Sequence, residues 1–156
     1  MRAPAILAVL APFAALTLGA CAEGEAPDQP APAPAAPEAV LGGVTLTEPL
    51  RVIGTEPFWA VNINGDGLVY DGVDRPEERA PNAGPQIAGT TASWSGQTDQ
   101  GRALNVTLIE TPCSDGMSDR TYPLTARVQI GEEALNGCAA SVDFLMNTDE
   151  QGQPRT

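Results

Sequence analysis

From Val40 onward, short runs of alternating apolar and polar residues are separated by Gly, Asn, Asp and Pro, and no stretch carries a helical period. Period two places every second side chain on one face of a strand, so the pattern predicts an almost entirely β domain. Val44 to Val52 reads as one or two short strands interrupted at Pro49, and Phe58 to Ile63 as a stronger one. Asn64-Gly65-Asp66-Gly67 is a tight-turn signal, and Leu68-Val69-Tyr70 returns from it, which predicts a hairpin over residues 58–72. Asp74 to Pro85 is charged and Pro-rich and reads as a loop. Gln86 to Ser95 and Arg102 to Glu110 form a second hairpin across Gly96 to Gly101, with Leu104, Val106 and Leu108 marking one buried face. Cys113 to Arg120 is a compact polar turn with room for one turn of helix. Thr121 to Ile130 then puts Tyr122, Leu124, Ala126, Val128 and Ile130 on a single face. Glu132-Glu133 turns the chain into a last strand over Ala134 to Ala140.

About seven or eight short antiparallel strands between residues 40 and 146 predict a small closed or nearly closed barrel, because closure removes exposed strand edges. A two-sheet sandwich is the alternative. Residues 147–156 are polar and predict a flexible tail.

The N-terminus has a different logic. Met1-Arg2 is a short positive segment, Ile6 to Leu18 is apolar, and Leu18-Gly19-Ala20-Cys21 matches the cleavage and acylation site of a bacterial lipoprotein. Residues 1–20 therefore read as a signal peptide, too short and too interrupted by Ala and Pro for a membrane span. Cys21 is expected to carry lipid and so anchor the chain to a membrane. By the sorting pattern of enteric lipoproteins, Ala22 rather than Asp after the cysteine points to the outer membrane, facing the periplasm. Residues 21–39 are rich in Ala, Pro and acids and predict an extended tether. Its Glu23–Glu38 part, at ~3.1 Å per residue, reaches about 50 Å.

Composition narrows the chemistry. Net charge is −12, and loss of Arg2 with the signal takes it to −13, which argues against nucleic acid and anionic membrane surfaces as partners. The chain has neither lysine nor histidine, which removes the usual general base of Ser and Cys hydrolases, the imidazole ligands of most zinc sites and Schiff-base lysines. Neither a cofactor nor a metal is expected. With Cys21 lipidated, Cys113 and Cys138 remain as an even pair in an oxidising compartment, where a disulfide is the default.

Two dense constellations remain. In Gly54-Thr55-Glu56-Pro57-Phe58-Trp59, Glu56 beside Phe58 and Trp59 is a candidate ligand-facing acid over an aromatic platform. The commoner role for a Trp entering the first long strand is a barrel plug, as in lipocalin-like folds, with Arg120 or Arg127 packed on its face. In Cys113 to Tyr122, the residues Asp115, Met117, Ser118 and Asp119 offer two carboxylates, a sulfur and a hydroxyl in one turn. These either satisfy local backbone N–H groups or form a rigid recognition loop with Arg120 and Tyr122 as its polar contacts. Asn62 to Gly67 mimics half of a calcium loop, but Val73 stands where the bidentate Glu belongs, so an ordinary turn is expected.

Together with Asn136-Gly137-Cys138-Ala139, these segments resemble a family of bacterial envelope proteins, often lipoproteins, that share G-T-E-P-F-W, C-x-D-G-M-S-D-x-x-Y-P and a closing G-C-A. The resemblance covers residues 50–140 and implies a secreted small β domain with a stapled last hairpin; it implies no reaction. A looser likeness is to membrane-bound inhibitors of animal-type lysozyme, which are also acylated, stapled small barrels, although their Ser-Gly-x-Arg-Tyr type loop has no clear counterpart in Ser95 to Thr98 or Ser118 to Tyr122. The expected function is binding rather than catalysis: an envelope or stress-accessory protein that recognises a protein partner or a small envelope ligand. Inhibition of a cationic lysozyme-like hydrolase is the first alternative and carboxylate-based hydrolysis of cell-wall glycan the second.

Overall fold

The computed structural model describes residues 39–155; the expected signal peptide, Cys21 and the part of the expected tether before Ala39 lie outside the described residues. The chain runs through β1 (Val40–Leu41), β2 (Val44–Thr45), β3 (Leu50–Thr55), β4 (Phe58–Asn64), β5 (Gly67–Gly72), β6 (Arg75–Ala80), β7 (Gln86–Ala88), β8 (Thr91–Gln97), β9 (Ala103–Ile109), β10 (Cys113–Ser114), β11 (Thr121–Tyr122), β12 (Leu124–Ile130), β13 (Glu133–Ser141) and α1 (Val142–Asn147). Nine strands form one antiparallel sheet in the order β6-β5-β4-β3-β13-β12-β9-β8-β7, and β1-β2 and β10-β11 are separate two-stranded ribbons.

The sheet curls into a half-barrel whose margins meet near its last strands. A Cβ on Gly96 of β8 would lie 3.1 Å from the Ala80 Cβ of β6. Just beyond, the Asp99 N–H donates to the Arg79 carbonyl at 2.9 Å. Alternation decides what faces inward. Leu50 and Val52 of β3, Trp59, Val61 and Ile63 of β4, and Leu124, Ala126, Val128 and Ile130 of β12 join Trp94, Leu104, Val106 and Leu108 in one buried cluster. The β1-β2 ribbon adds Leu41 and Val44, followed by Leu46, to the same cluster. Gly42, in the ribbon's turn, takes φ 55° beside the Leu124 side chain. The ribbon thereby covers the end of the barrel where β3 and β12 begin. The turns joining β3 to β4, β5 to β6, β8 to β9 and β12 to β13 lie at the opposite end.

That far end is lined by ion pairs rather than apolar groups. Glu78 points inward from β6, is 2% exposed, accepts the Thr98 hydroxyl at 2.8 Å and is ion-paired with Arg102. Beside it, Arg75 pairs with Glu133 and donates to the Tyr70 hydroxyl at 2.9 Å. A buried carboxylate persists only when paired and hydrogen-bonded, and Glu78 has both.

The structure corrects several expectations. The charged stretch from Asp74 to Pro85 contains a strand, β6, because Glu78 and Ala80 alternate inward and the ion pair satisfies Glu78. The expected strand from Gln86 to Ser95 is broken at Gly89, which adopts φ 57° and separates β7 from β8. The run from Thr121 to Ile130 breaks at Pro123, so Tyr122 leaves the face it was expected to share with Leu124. No helical turn forms within Cys113 to Arg120. Residues 147–155, expected as a flexible tail, fold back on the domain: Arg155 N–H donates to the Asn147 carbonyl at 2.8 Å, and Arg120 bonds the Thr148 and Asp149 carbonyls at 2.6–3.1 Å. The sheet has nine strands where seven or eight were expected.

Candidate functional site

The two motif regions meet on the outside of the barrel. Cys138 points outward from β13, and its disulfide to Cys113, with a Cα–Cα distance of 5.5 Å, ties down a flap made of β10, β11 and the turn between them. Beneath the flap, Tyr122, Cys138 and Ala140 form a second small core with Ile53, Phe144 and Leu145 packed against it. The flap is therefore stapled at one end and anchored by an aromatic at the other.

Asp115 organises the flap's interior. Its carboxylate accepts the N–H groups of Met117 at 2.9 Å and Ser118 at 2.8 Å, the Ser118 hydroxyl, and the Tyr122 hydroxyl at 2.9 Å. Burial pulls the Asp115 carboxyl upward, but these donors together outweigh it and hold the group below its ordinary 3.8. Burial, then the bond to Asp115, raises the Tyr122 phenol. Arg120 lies 5.8 Å above the Tyr122 ring while its Nε and Nη2 bond the C-terminal carbonyls. Asp115, Ser118, Arg120 and Tyr122, expected either to satisfy the backbone or to present contacts, are thus all engaged within the domain. Asp119 is exposed in the turn.

Trp59 is 4% exposed and belongs to the barrel core. Its indole lies against two glycines: a Cβ on Gly54 would sit 2.1 Å from Trp59 Nε1, and one on Gly137 would sit 3.0 Å from Trp59 Cζ2. This slot joins the G-T-E-P-F-W and N-G-C-A segments, and the packing matches the plug role. Neither expected arginine covers the ring. Arg120 is on Tyr122, and Arg127 is exposed on the outer face of β12. Glu56 is exposed in the β3-β4 turn, ahead of the strand that carries Trp59.

On the outer face of β3, β4 and β5, cross-strand register builds three rows: Arg51, Asn62 and Val69; Ile53, Ala60 and Asp71; Thr55 and Phe58, with Val73 beyond. Ala60 is the smallest member of the middle row, so the surface dips there. The flap supplies a wall, since the Thr55 hydroxyl donates to the Asp115 carbonyl at 3.1 Å and brings Met117 alongside. The result is a cleft of about 530 Å³ lined by Arg51, Ile53, Phe58, Ala60, Asp71, Val73, Asp115 and Met117, among others. Phe58, Val73 and Met117 are 54%, 58% and 67% exposed, and all three border this one cleft. The register between β5 and β6 shifts across Asp71, opposite Pro76, which has no N–H to pair.

Of the residues singled out in the sequence, Trp59, Asp115 and Met117 come together at the cleft, whereas Glu56, Ser118, Asp119, Arg120 and Tyr122 do not line it. Ile53 and Val73 were missed; their signal is an apolar residue on, or just beyond, a strand face that should be polar, visible only once the register is known. Phe58 was singled out only as Trp59's neighbour, and Asp71 reaches the cleft through its register with Ala60, which no local pattern displays. Among the described residues no cluster of three or more carboxylates, cysteines or histidines is placed to hold a metal ion.

Fold and site together define a small disulfide-stapled antiparallel half-barrel with a surface cleft outside its core. The chain matches no protein-family model, no curated protein and no solved structure.

The ionised interior has a pH signature. The hydrogen bonds from Arg102 to Glu78 and from Arg75 to Glu133 hold both carboxyls below their ordinary 4.5. A carboxyl depressed on folding stabilises the native state above its unfolded pKa, and that contribution is lost as pH falls through the folded value. The melting temperature is therefore expected to be flat above about pH 5 and to fall progressively below it. Glu78→Gln should cost about 1–2 kcal/mol at pH 7, a modest figure because Arg102 is 37% exposed, and should flatten the acid limb. Thermal unfolding of both proteins between pH 2.5 and 7 checks this; parallel curves would remove Glu78 from the explanation.

Proposed function

We propose that the protein is a lipid-anchored envelope module, tethered through Cys21 at the outer membrane and facing the periplasm, that binds a partner rather than transforms a substrate. The observation that carries this reading is the convergence of Phe58, Val73 and Met117 on one cleft. Isolated exposed apolar residues are ordinary, but a contiguous apolar patch beside polar groups marks a recognition surface. Position supports the same reading. The chain enters the domain at Ala39, whose carbonyl accepts the Leu46 N–H, near the end covered by the β1-β2 ribbon. The cleft opens beside the turns of the opposite end, where a partner arriving from the periplasm would meet it. Its wall is held by the disulfide and the Asp115 hub, so little ordering remains to oppose binding.

A photo-crosslinking residue placed at Val73 or Met117 of the full-length protein in its own cells is expected to give the same discrete adduct. The comparably exposed Ile87, on the far edge strand, should give none. Adducts at all three positions or at none would count against the cleft. Incubation with peptidoglycan and, separately, with lysozyme distinguishes the other classes: released sugar would make the protein a glycan hydrolase, and titratable inhibition a lysozyme inhibitor. Inhibition is not expected, because Arg120 and Tyr122 are committed to internal bonds; sugar release is not expected, because, of the two carboxylates lining the cleft, Asp115 is engaged by donors of its own flap.

A further inference from the structure

Resting on the binding reading above, we infer that the cleft's occupant is a cationic segment of another protein, one that lays an apolar side chain over Ala60 and a Lys or Arg against Asp71. The apolar half follows from the cleft itself: Ala60 forms its low point, and Phe58, Val73 and Met117 stand around it. The charged half follows from which ionic groups remain unpaired. Among the described residues Arg75, Arg79 and Arg102 are ion-paired with Glu133, Glu77 and Glu78. Arg120 and Arg155 are bound to main-chain carbonyls of Thr148 and Asp149, and Arg127 is on β12, away from the cleft. Among the described residues only one arginine, Arg51, lines the cleft; its Nη1 donates to the neutral Asn62 side chain at 2.8 Å, and its charge has no carboxylate partner.

Asp71 is in the cleft wall, and no ion pair or hydrogen bond to its side chain occurs among the described residues. Glu56 and Asp74 are exposed in the two turns that flank the same rim. The wall and rim therefore carry more carboxylates than cations, Asp71, Glu56 and Asp74 against Arg51 alone among the described residues, around an apolar floor on a chain of net charge −12. Complementary potential selects a basic partner and speeds its arrival, and like charge disfavours the competing occupants. A second copy of this chain brings the same negative field, and an anionic lipid surface is repelled.

The test uses the full-length protein, its amide NMR spectrum and two blocked pentapeptides, acetyl-Gly-Lys-Leu-Lys-Gly-amide and acetyl-Gly-Glu-Leu-Glu-Gly-amide. The lysine peptide is expected to shift the amides of Thr55, Ala60 and Asp71 and to bind roughly tenfold more tightly than the glutamate peptide at low salt. The two affinities should converge towards 1 M salt, where the screening length is about 3 Å. Asp71→Asn should weaken the lysine peptide about threefold and leave the glutamate peptide no weaker. Equal binding, or tighter binding of the glutamate peptide at the same amides, would overturn the cationic partner and leave the cleft standing as a site. Failure of both peptides to move any β3–β5 amide would overturn the inference together with the cleft.

Discussion

Trp59→Ala is expected to lower the stability of the domain by about 3–5 kcal/mol and, in doing so, to make a second substitution, Gly54→Ala, nearly neutral. Trp59 is 4% exposed, so its removal leaves a large cavity in the barrel core. In the native protein a methyl group on Gly54 would stand 2.1 Å from Trp59 Nε1, an overlap that overpacking costs of about 1–3 kcal/mol describe. Once the indole is gone that overlap has no partner, so the two losses should fall short of adding by most of the Gly54 term. Gly137→Ala behaves differently. Its added methyl would lie 1.9 Å from the Ile53 carbonyl oxygen, which is backbone of the neighbouring strand, and the conflict persists whatever occupies position 59. Gly65→Ala, with nothing within 4 Å of the new methyl, is the neutral control. Urea unfolding of the single and double variants checks the cycle. Unchanged melting of Trp59→Ala with loss of a bound partner would instead make Trp59 a recognition aromatic.

This pairing of residues shows what the sequence displays and what it conceals. The alternation in Leu104, Val106 and Leu108, or in Leu124, Ala126, Val128 and Ile130, announces a one-sided β surface, because strand geometry maps period two directly onto faces. The turn at Asn64 to Gly67 is equally local: the Asn64 side chain accepts the N–H groups of Asp66 and Gly67 at 2.9 and 3.1 Å. The Gly54–Trp59–Gly137 slot is not local, since Gly137 and Trp59 meet only after β13 pairs with β3. Neither is β6, whose charged sequence resembles a solvated loop until Arg102 arrives from β9's leading turn to pair with Glu78. A buried charge reads as a surface charge whenever its counter-ion is remote in sequence.

The cleft was concealed for the same reason. Asp115 and Met117 were legible as an unusual cluster with two readings, local satisfaction of backbone N–H groups or a polar recognition loop. Packing follows the first for the polar groups. The polar groups of Asp115, Ser118 and Tyr122 bond one another, and the exposed apolar residue, Met117, is the one that reaches the surface of β3–β5. Sequence lists the donors and acceptors in such a turn; only the backbone path decides whether they satisfy each other or face solvent.

Replacing both Cys113 and Cys138 with Ala is expected to destabilise the protein by about 3.5 kcal/mol in the chain-entropy description and, separately, to weaken the cleft. The sulfurs close a loop of sequence separation 25, whose cross-link restricts the unfolded chain. The second effect is local. Without the staple the flap is held by the β10-β11 pairing, the Thr55 bond to the Asp115 carbonyl and the packing of Tyr122, none of which is covalent. Met117 and Asp115 would then leave the wall more often while β3, β4 and β5, paired on both sides, keep the floor intact. Tyr122→Phe separates the two effects. It retains the disulfide and the ring packing but removes the hydroxyl that donates to Asp115 at 2.9 Å, so it should cost about 1–2 kcal/mol and loosen the flap alone. Hydrogen exchange of the Met117 and Ser118 amides, both bonded to Asp115, reads that loosening directly. Protection at those amides unchanged in the cysteine variant would show that the wall stands without its staple, leaving the disulfide a role in global stability only.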